Sequence, residues 1–401
     1  MDKVKGQRII YTLAFLTAIG PFSIDAYLSG FPSIARDLGT DIEHVALSLT
    51  SYFIGISIGQ LFYGPMLDRY GRKRPLIAGL LIYLFASAGC ALSPSIYSFI
   101  LLRFIQAMGG CVGMVASRAI VRDLFSPHET AKVFSMMMLI MGIAPILAPI
   151  IGGTIVVTIG WRYVFAFLVL LSTAITFVIV KQLPESKEPD PSISFHPLKI
   201  VSGYFSLFKN RTFLIYALAS ASASAALFTY ISDSSFVFIQ LFGIPQSAFG
   251  WIYAFNALAL VSASQTNRVL LGKKSSRQIT TITILLQAIS ALLLIISIQF
   301  NAYFIISMLF IFIYLYWLGF LNPNTNALAL EPFQKNAGTA SAMLGSIQMI
   351  FSALASALVS IFHNGTAMPM AVIMLSFALF GMSMILWDKA ARKKTELQPE
   401  I

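Results

Sequence analysis

The sequence is poor in charge. Only 11% of its 401 residues are Asp, Glu, Lys or Arg, whereas 57% are hydrophobic. Soluble domains carry roughly 25% charged residues, so the composition excludes a soluble domain, a disordered chain and a fibrous repeat. Basic residues outnumber acidic ones, 27 to 16, but they form short runs between long apolar stretches. A nucleic-acid-binding surface needs a cluster of basic residues on a soluble fold. We therefore expect a lipid bilayer as partner and no nucleic acid.

Cysteine and histidine are also scarce. The two cysteines, Cys90 and Cys111, lie in apolar stretches, and the four histidines are scattered near the ends of such stretches. This pattern excludes a disulfide framework and provides no metal-ligand spacing. No set of His, Cys and Asp residues converges on a catalytic pattern. The sequence therefore predicts no metal site, no cofactor and no enzymatic activity.

Long apolar runs occupy most of the chain. A helix of roughly 20 apolar residues crosses the hydrocarbon core, and the sequence contains about twelve such runs. The first follows three basic residues but lacks a small-residue cleavage site, so we expect a span and not a signal peptide. We place the spans near residues 9–29, 44–65, 75–93, 97–119, 133–155, 161–181, 212–234, 246–267, 278–299, 302–325, 338–361 and 366–387. The predicted fold class is an all-α membrane protein.

The chain divides into two halves. Its longest polar segment predicts a cytoplasmic linker over 182–210, between an N-terminal six-helix bundle over 1–181 and a C-terminal six-helix bundle over 211–401 that ends in a basic cytoplasmic tail. Two short segments also match at the same internal spacing: Arg118-Ala119 before Asp123-Leu-Phe125, and Asn326-Ala327 before Glu331-Pro-Phe333. A match this short also arises by chance. Together with the span count, it favours two pseudo-symmetric bundles around a central cavity.

The basic residues indicate the topology. If the N-terminus is cytoplasmic and the spans alternate, every basic residue except Arg36, Arg103 and Arg162 lies on the cytoplasmic side. Cytoplasmic loops carry an excess of Lys and Arg in membrane proteins. We therefore expect a multi-pass protein of the inner (cytoplasmic) membrane with both termini in the cytoplasm.

The loop between the second and third predicted spans has an unusual pattern. It reads Gly64-Pro-Met-Leu-Asp68-Arg69-Tyr-Gly71-Arg72-Lys73-Arg74. Anchoring by positive charge explains the basic residues but not the spacing of glycine and aspartate. The loop resembles the signature loop of the major facilitator superfamily, Gly-x-Leu-Ala-Asp-Arg-x-Gly-Arg-Lys. This resemblance implies the major facilitator fold, with a substrate site near the membrane midplane between the bundles, and it assigns Gly64, Asp68, Arg69, Gly71 and Arg72 to a cytoplasmic gate.

Asp25 and Arg103 lie inside the first and fourth predicted spans. Arg103 begins Arg103-Phe-Ile-Gln106, which resembles the family's Arg-x-x-Gln motif, and this resemblance ties the arginine to proton transfer. Asp25 is about 6 Å from the outer end of its span and Arg103 about 9 Å, at 1.5 Å per residue. The two could therefore meet if the first and fourth spans are neighbours, as the resemblance implies. Burial favours a protonated carboxyl and a nearby arginine favours the ionised form, so such a pair could exchange protons. The alternatives are a snorkelling arginine, a structural ion pair, or an aspartate just outside the bilayer.

The fifth predicted span contains Pro145, Pro149, Gly152 and Gly153. Prolines remove backbone donors, which favours a kink, and small residues allow close helix contact. The segment resembles the antiporter motif Gly-Pro-x-x-Gly-Gly of drug exporters in the superfamily, although Ala148 replaces the first glycine. A kinked packing helix with no bearing on transport direction is the alternative.

Further stretches, at 23–28, 117–123, 329–333 and 337–341, resemble the Bcr/CflA group of bicyclomycin- and chloramphenicol-type exporters. The stretch Ser232-Asp233-Ser234-Ser235-Phe236 departs from that group, which usually has Ser-Pro-Phe there, and Asp233 is an extra acid. It is either a periplasmic cap or a second proton site. Polar residues inside spans either line a cavity or join helices to one another, and the candidates are Gln106, Arg118, Asp233, Asn256 and Gln348.

The resemblance implies a proton-coupled antiporter that exports amphipathic small molecules from the cytoplasm by alternating access. Its partners would be the substrate and protons, and its working form would be a monomer. The proton gradient would drive transport, and no cofactor would be needed. Two alternatives stay open: a proton-coupled uptake symporter, and an exporter of an endogenous metabolite or siderophore.

Overall fold

A computed structural model describes residues 3–191, 204, 207–300, 304–333 and 337–396. In these ranges the chain is helical and contains no strand. Twelve helical segments are long and apolar enough to cross a membrane. The predicted all-α fold class and the number of spans are therefore confirmed.

The spans of the first half begin close to the predicted positions. They are span 1 (Lys3–Asp25, Leu28–Gly30 and Phe31–Asp37), span 2 (Ile42–Arg69), span 3 (Lys73–Leu92), span 4 (Ile96–Gly110 and Val112–Leu124), span 5 (Pro127–Thr158) and span 6 (Arg162–Gln182). Most helices continue past the predicted apolar run, because hydropathy marks the hydrocarbon core and not the end of the helix.

The spans of the second half are equally regular. They are span 7 (Arg211–Ser235 with the π-helical continuation Phe236–Leu241), span 8 (Gln246–Leu270), span 9 (Ser276–Gln299), span 10 (Phe304–Leu330), span 11 (Ala337–Ile361) and span 12 (Met368–Glu396). A bilayer has no water to satisfy backbone groups, so helices that pair their own N–H and C=O groups are the favoured solution.

Polar side chains cap several spans where they leave the apolar region. Asp41 accepts the backbone N–H of His44 at 2.9 Å at the start of span 2, and Ser95 and Ser275 begin spans 4 and 9 with capping boxes. Such caps satisfy backbone donors that have no partner inside the helix.

The chain forms two compact units. The first comprises Met1–Ile200 with Ser234–Ala254, and the second comprises Val201–Asp233 with Phe255–Ile401. In the first unit, span 1 packs against spans 4, 5 and 6, span 2 against span 4, and span 3 against spans 4 and 6. In the second unit, span 9 packs against spans 10 and 12. The linker over 182–210 lies partly outside the described residues, and the bundle boundaries taken from the sequence stay a prediction.

Candidate functional site

Asp25 is the last residue of the first helix of span 1, and only 4% of its surface is exposed. The α-helix ends there, and a short 3-10 turn, Leu28–Gly30, follows. The Tyr253 hydroxyl at the start of span 8 donates a hydrogen bond to Asp25 Oδ1 at 2.8 Å. Within the described ranges, Asp25 makes no ion pair. The carboxyl group is therefore buried beside a neutral donor.

Arg103 is completely buried in span 4. One guanidinium nitrogen donates to the Ser23 carbonyl oxygen at 2.9 Å and the other to Gln106 Oε1 at 2.5 Å. The guanidinium carbon lies 4.4 Å from the ring centroid of Tyr27 and 4.2 Å from that of Tyr52. Cation–π contacts of this kind contribute about 2 kcal/mol when they are desolvated. Carbonyl, amide and aromatic groups thus stabilise the buried charge, and its complete burial is inconsistent with snorkelling.

The Arg103 hydrogen bonds continue into span 3. Gln106 Nε2 donates to Ser87 Oγ at 2.7 Å, and the Ser23 and Tyr83 hydroxyls lie 2.6 Å apart. Spans 1, 3 and 4 are therefore joined by one hydrogen-bonded network, which accounts for the Arg-x-x-Gln pattern.

The expected contact between Asp25 and Arg103 is not formed. Arg103 instead binds the carbonyl of Ser23, two residues before Asp25 along span 1. The two charged groups are therefore linked through the span 1 backbone and not through an ion pair, and the terminal nitrogens of the guanidinium bind Ser23 and Gln106 instead of the carboxyl group.

Gly152 of span 5 lies directly against span 1. A Cβ atom added at Gly152 would overlap the carbonyl oxygen of Ala26, whereas one at Gly153 would find no atom closer than 3.5 Å. Only glycine fits at position 152, because the neighbouring atoms belong to the backbone of Ala26, which cannot rotate away as a side chain can. Span 5 therefore packs on the residue that follows Asp25.

The same helix also contacts the start of span 8. Pro145 and Pro149 both lie inside the unbroken helix Pro127–Thr158, and a Cβ atom at Gly250 would lie 2.6 Å from the Pro149 carbonyl oxygen. Gly250 is three residues before Tyr253, which binds Asp25. The proline and glycine segment thus contacts both chain segments that carry the Asp25–Tyr253 hydrogen bond.

Ion pairs organise the loop between spans 2 and 3. Gly71 adopts a φ of 82°, a conformation that L side chains rarely adopt, and this turns the chain into span 3. Arg72 Nε donates to Asp123 Oδ2 at 2.7 Å, and its terminal nitrogen donates to Asp68 Oδ1 at 2.9 Å. Burial works to lower the pKa of Arg72, but the hydrogen bonds and charges of Asp123 and Asp68 outweigh it and raise that pKa above its ordinary value.

The start of the polar segment after span 6 joins this loop. Glu185 accepts the Arg72 backbone N–H at 2.6 Å, and Lys187 Nζ donates to Asp68 Oδ1 at 2.7 Å. Gly64 lies inside span 2 and Arg69 is its last residue. Sequence reasoning missed Glu185 and Lys187 because a charged linker carries no signal of where it docks.

The second unit contains an equivalent ion pair. Arg277 donates to Glu331 Oε2 at 3.0 Å, as Arg72 does to Asp123 in the first unit. Asp123 and Glu331 occupy matching positions in the internal repeat, Asp123 in the last turn of span 4 and Glu331 directly after span 10. The matching acids support duplicated halves, although at the same spacing Arg277 matches Arg69 and not Arg72, and the second loop lacks the glycine and aspartate of the first.

The remaining candidates make separate sets of contacts. Arg118 is exposed beside a small cavity lined by Thr17, Met114, Phe134, Met137, Met138 and Met141. Asp233 is buried in span 7, with 4% of its surface exposed. Asn256 Nδ2 donates to the Tyr230 hydroxyl at 3.1 Å, and Gln348 binds two polar side chains of spans 7 and 10. The described residues contain no group of His, Cys, Asp and Glu that could hold a metal ion.

The chain matches a family model over most of its length. The model of the Major Facilitator Superfamily covers residues 13–356. The bicyclomycin resistance protein homolog of Haemophilus influenzae is 32% identical over 92% of this chain and 93% of its own length. The chloramphenicol resistance protein of Pseudomonas aeruginosa is 28% identical, over 94% and 90%. Multidrug resistance protein D of Escherichia coli is 25% identical, over 89% and 90%. The resemblance to Bcr/CflA-type drug exporters is confirmed.

Solved structures show the same fold. A crystal structure of a D-xylose-proton symporter superimposes with a TM-score of 0.75 at 18% identity, covering 94% of this chain and 97% of its own. A peptide transporter in complex with sulfate superimposes with a TM-score of 0.78 at 14% identity, covering 96% and 94%. At these identities the likeness concerns the fold alone.

Proposed function

Because this chain belongs to the Major Facilitator Superfamily, we propose that it is a proton-coupled antiporter that exports amphipathic small molecules from the cytoplasm by alternating access. It is a multi-pass membrane transporter and not an enzyme. The names of its relatives, which refer to bicyclomycin, chloramphenicol and multidrug resistance, support a drug-like substrate. The proton gradient supplies the driving force without a cofactor, and the monomer is the working form.

The burial of Asp25 carries this proposal. An ionised carboxylate in an apolar environment is costly unless a cation accompanies it, and the bound partner of Asp25 is the neutral hydroxyl of Tyr253. Binding a proton removes the charge and its cost. Asp25 therefore takes a proton from the periplasmic side as substrate leaves, and it releases the proton to the cytoplasm when the next substrate binds.

Arg103 modulates this exchange through span 1. Its charge is held near the Ser23 carbonyl and between two tyrosine rings, so it acts on Asp25 through the span 1 backbone and not by direct contact. Movement of span 1 against span 4 changes that influence. This gives the protein a way to couple proton affinity to conformation.

The cytoplasmic gate is formed by the loop between spans 2 and 3. Gly64 and Arg69 frame the loop, Gly71 turns it, and the ion pairs of Arg72 and Asp68 hold it closed. The span 5 segment with Pro145, Pro149, Gly152 and Gly153 favours export, because it packs on the chain segments that carry Asp25 and Tyr253. Candidates for lining the substrate path are Gln106, Arg118, Asp233, Asn256 and Gln348.

Both termini lie in the cytoplasm in this proposal. The basic residues of the loops and the tail support it, with bundles over 1–181 and 211–401 joined by a cytoplasmic linker over 182–210. Reporter fusions at each end and in the linker should all be active on the cytoplasmic side. A periplasmic signal from any of them would contradict this topology.

The experiment is proton flux in inverted vesicles. In a strain lacking its own exporters, a compound panel with and without an uncoupler first identifies an exported compound. That compound should then alkalinise an acidified vesicle lumen when the wild type is present, whereas substrate-induced acidification would indicate symport.

The Asp25→Asn variant should insert normally but lose this proton movement. A matched control is Asp41→Asn, because asparagine is an equally good helix cap outside the membrane. Normal proton exchange by Asp25→Asn would move the proton role elsewhere, with Asp233 the next acid to replace. Tyr253→Phe removes only the hydroxyl and should shift the pH dependence of transport without abolishing it.

A further inference from the structure

A cluster of uncharged polar side chains joins spans 7, 10 and 11 in the second unit. Ser220 Oγ donates to Asn326 Oδ1 at 2.6 Å, and Gln348 Nε2 donates to Ser220 Oγ at 2.6 Å and to Asn326 Oδ1 at 2.8 Å. The hydroxyls of Ser220 and Ser224 also lie 3.4 Å from Asn322 Oδ1. We call these five residues the amide cluster. Its serines and asparagines repeat every four residues, so each pair lies on one face of its helix.

The hydrogen bonds inside the cluster leave several polar atoms unused. A primary amide offers two N–H donors and one carbonyl acceptor. The amide nitrogens of Asn322 and Asn326 and the carbonyl oxygen of Gln348 have no partner in the described part of the chain. All three side chains are half-buried rather than enclosed. Donors and an acceptor are thus accessible from outside the cluster.

These accessible atoms cannot face lipid. Gln348 lies about 16 Å along span 11 from the helix start, at 1.5 Å per residue, which places it deep in the hydrocarbon region. An unpaired polar group exposed to hydrocarbon is strongly disfavoured. The cluster therefore faces water or a bound molecule.

No charge accompanies the cluster. Spans 10 and 11 contain no Asp, Glu, Lys or Arg over Phe304–Leu330 and Ala337–Ile361. In span 7 the nearest charged residues, Arg211 and Asp233, lie about 14 Å and 20 Å along the helix from Ser220. A charged ligand would lose its hydration here without gaining a counter-charge. In the internal repeat, Asn326 occupies the position that Arg118 holds in the first half. At this position of the repeat, the first half therefore has a charged residue and the second half an uncharged amide.

Asn324 shows how a purely structural amide differs. It lies on the same helix, between two members of the cluster, and is 1% exposed. Its Nδ2 uses both donors, to Asn267 Oδ1 at 2.8 Å and to the Phe320 carbonyl at 2.8 Å. Asn324 therefore uses both of its amide donors in helix contacts, whereas the amide nitrogens of Asn322 and Asn326 keep theirs.

We propose that the amide cluster is a substrate subsite that recognises the hydroxyl, carbonyl and amide groups of uncharged molecules. The amide nitrogens of Asn322 and Asn326 donate to ligand oxygens, and Gln348 Oε1 accepts from a ligand O–H or N–H group. This proposal rests on the proposed export function, and it specifies the class of substrate that the protein exports.

Hydration of the cluster is tested without any transport assay. Gln348→Cys and Ile350→Cys are placed singly in a variant without the native cysteines, in lipid nanodiscs, and treated with a water-soluble maleimide. Ile350 is the matched control because it is on the same helix, apolar and 52% exposed. The Gln348→Cys variant should be labelled much faster than the Ile350→Cys variant. Equal labelling would mean that the cluster is dry and would overturn the proposal.

The substrate class is tested with two probes in a strain lacking its own exporters. Chloramphenicol is uncharged and carries hydroxyl and amide groups, whereas tetraphenylphosphonium is a lipophilic cation. The wild type should raise tolerance to chloramphenicol, and Asn326→Leu and Gln348→Met should each lower its apparent affinity about 2- to 10-fold, as expected for the loss of one hydrogen bond. Tolerance to the cation should not fall in these variants.

Two outcomes overturn the assignment. The first is a wild type that fails to raise chloramphenicol tolerance, and the second is an equal loss of tolerance to chloramphenicol and to tetraphenylphosphonium in the variants. Asn324→Leu serves as the structural control, since it should reduce the amount of folded protein in the membrane and so affect every substrate. Export of chloramphenicol that resists an uncoupler would contradict proton coupling but leave the subsite intact, so the two proposals fail in distinguishable ways.

Discussion

Replacing Gly152 with alanine adds a single methyl group at the contact between spans 5 and 1. That methyl carbon would overlap the Ala26 carbonyl oxygen and lie 2.5 Å from its carbon and 2.7 Å from its Cα. All three atoms are backbone, so relief requires span 1 to move at the residue next to Asp25. Forcing an extra carbon into a packed interior costs about 1–3 kcal/mol. An equilibrium between two conformations would change by about 5- to 150-fold if the strain acts on one of them alone.

Gly153→Ala is the matched control for this change. The added carbon there would have no neighbour closer than 3.5 Å, so we expect an effect within about 0.5 kcal/mol. Both variants are purified in detergent for thermal unfolding and reconstituted for substrate-driven proton exchange. Gly152→Ala should unfold at lower temperature and exchange protons more slowly, while Gly153→Ala should resemble the wild type.

Two results would refute the reasoning. Wild-type stability and exchange in Gly152→Ala would mean that span 5 does not press on span 1 as the structure shows. Equal loss of stability and proton exchange in the two alanine variants would mean that the segment needs small residues in general. The contact with Ala26 would then not be the cause.

Two further predictions concern buried charges. Arg103→Lys should strongly reduce export while the protein still inserts, because an ammonium group cannot keep both hydrogen bonds and both ring contacts of the planar guanidinium. Each charged hydrogen bond contributes about 1.5–3 kcal/mol. Wild-type export by the lysine variant would show that positive charge alone suffices. A double-mutant cycle with Arg72→Ala and Asp123→Ala should give a coupling free energy of about 1–3 kcal/mol in thermal unfolding, and strictly additive effects would argue against the ion pair. Since the pKa of Arg72 lies above its ordinary value, Arg72 keeps its charge at neutral pH, and this coupling should persist as the pH rises into the alkaline range.

Sequence reasoning located the charged residues of the site but not their partners. Asp25 and Arg103 stand out in the sequence because a charge inside an apolar run is rare and visible locally. Tyr253 does not stand out, since tyrosine is common in spans and the residue lies far from Asp25 along the chain. The contact expected between Asp25 and Arg103 was inferred from equal depth in the membrane. Depth fixes height along the bilayer normal but not the side of the helix from which a neighbour approaches.

The sequence by itself determined the number of spans, the all-helical fold class and the family. These properties depend on hydropathy, charge and short motifs, each of which is carried by neighbouring residues. Only the tertiary structure decided that Arg103 binds the Ser23 carbonyl, that Glu185 and Lys187 dock on the loop after span 2, and that the amide cluster keeps unused donors. Those contacts join residues distant in the chain. They depend on how helices are rotated and how closely they approach, which the apolar pattern of a span leaves undetermined because lipid-facing and helix-facing surfaces are both hydrophobic.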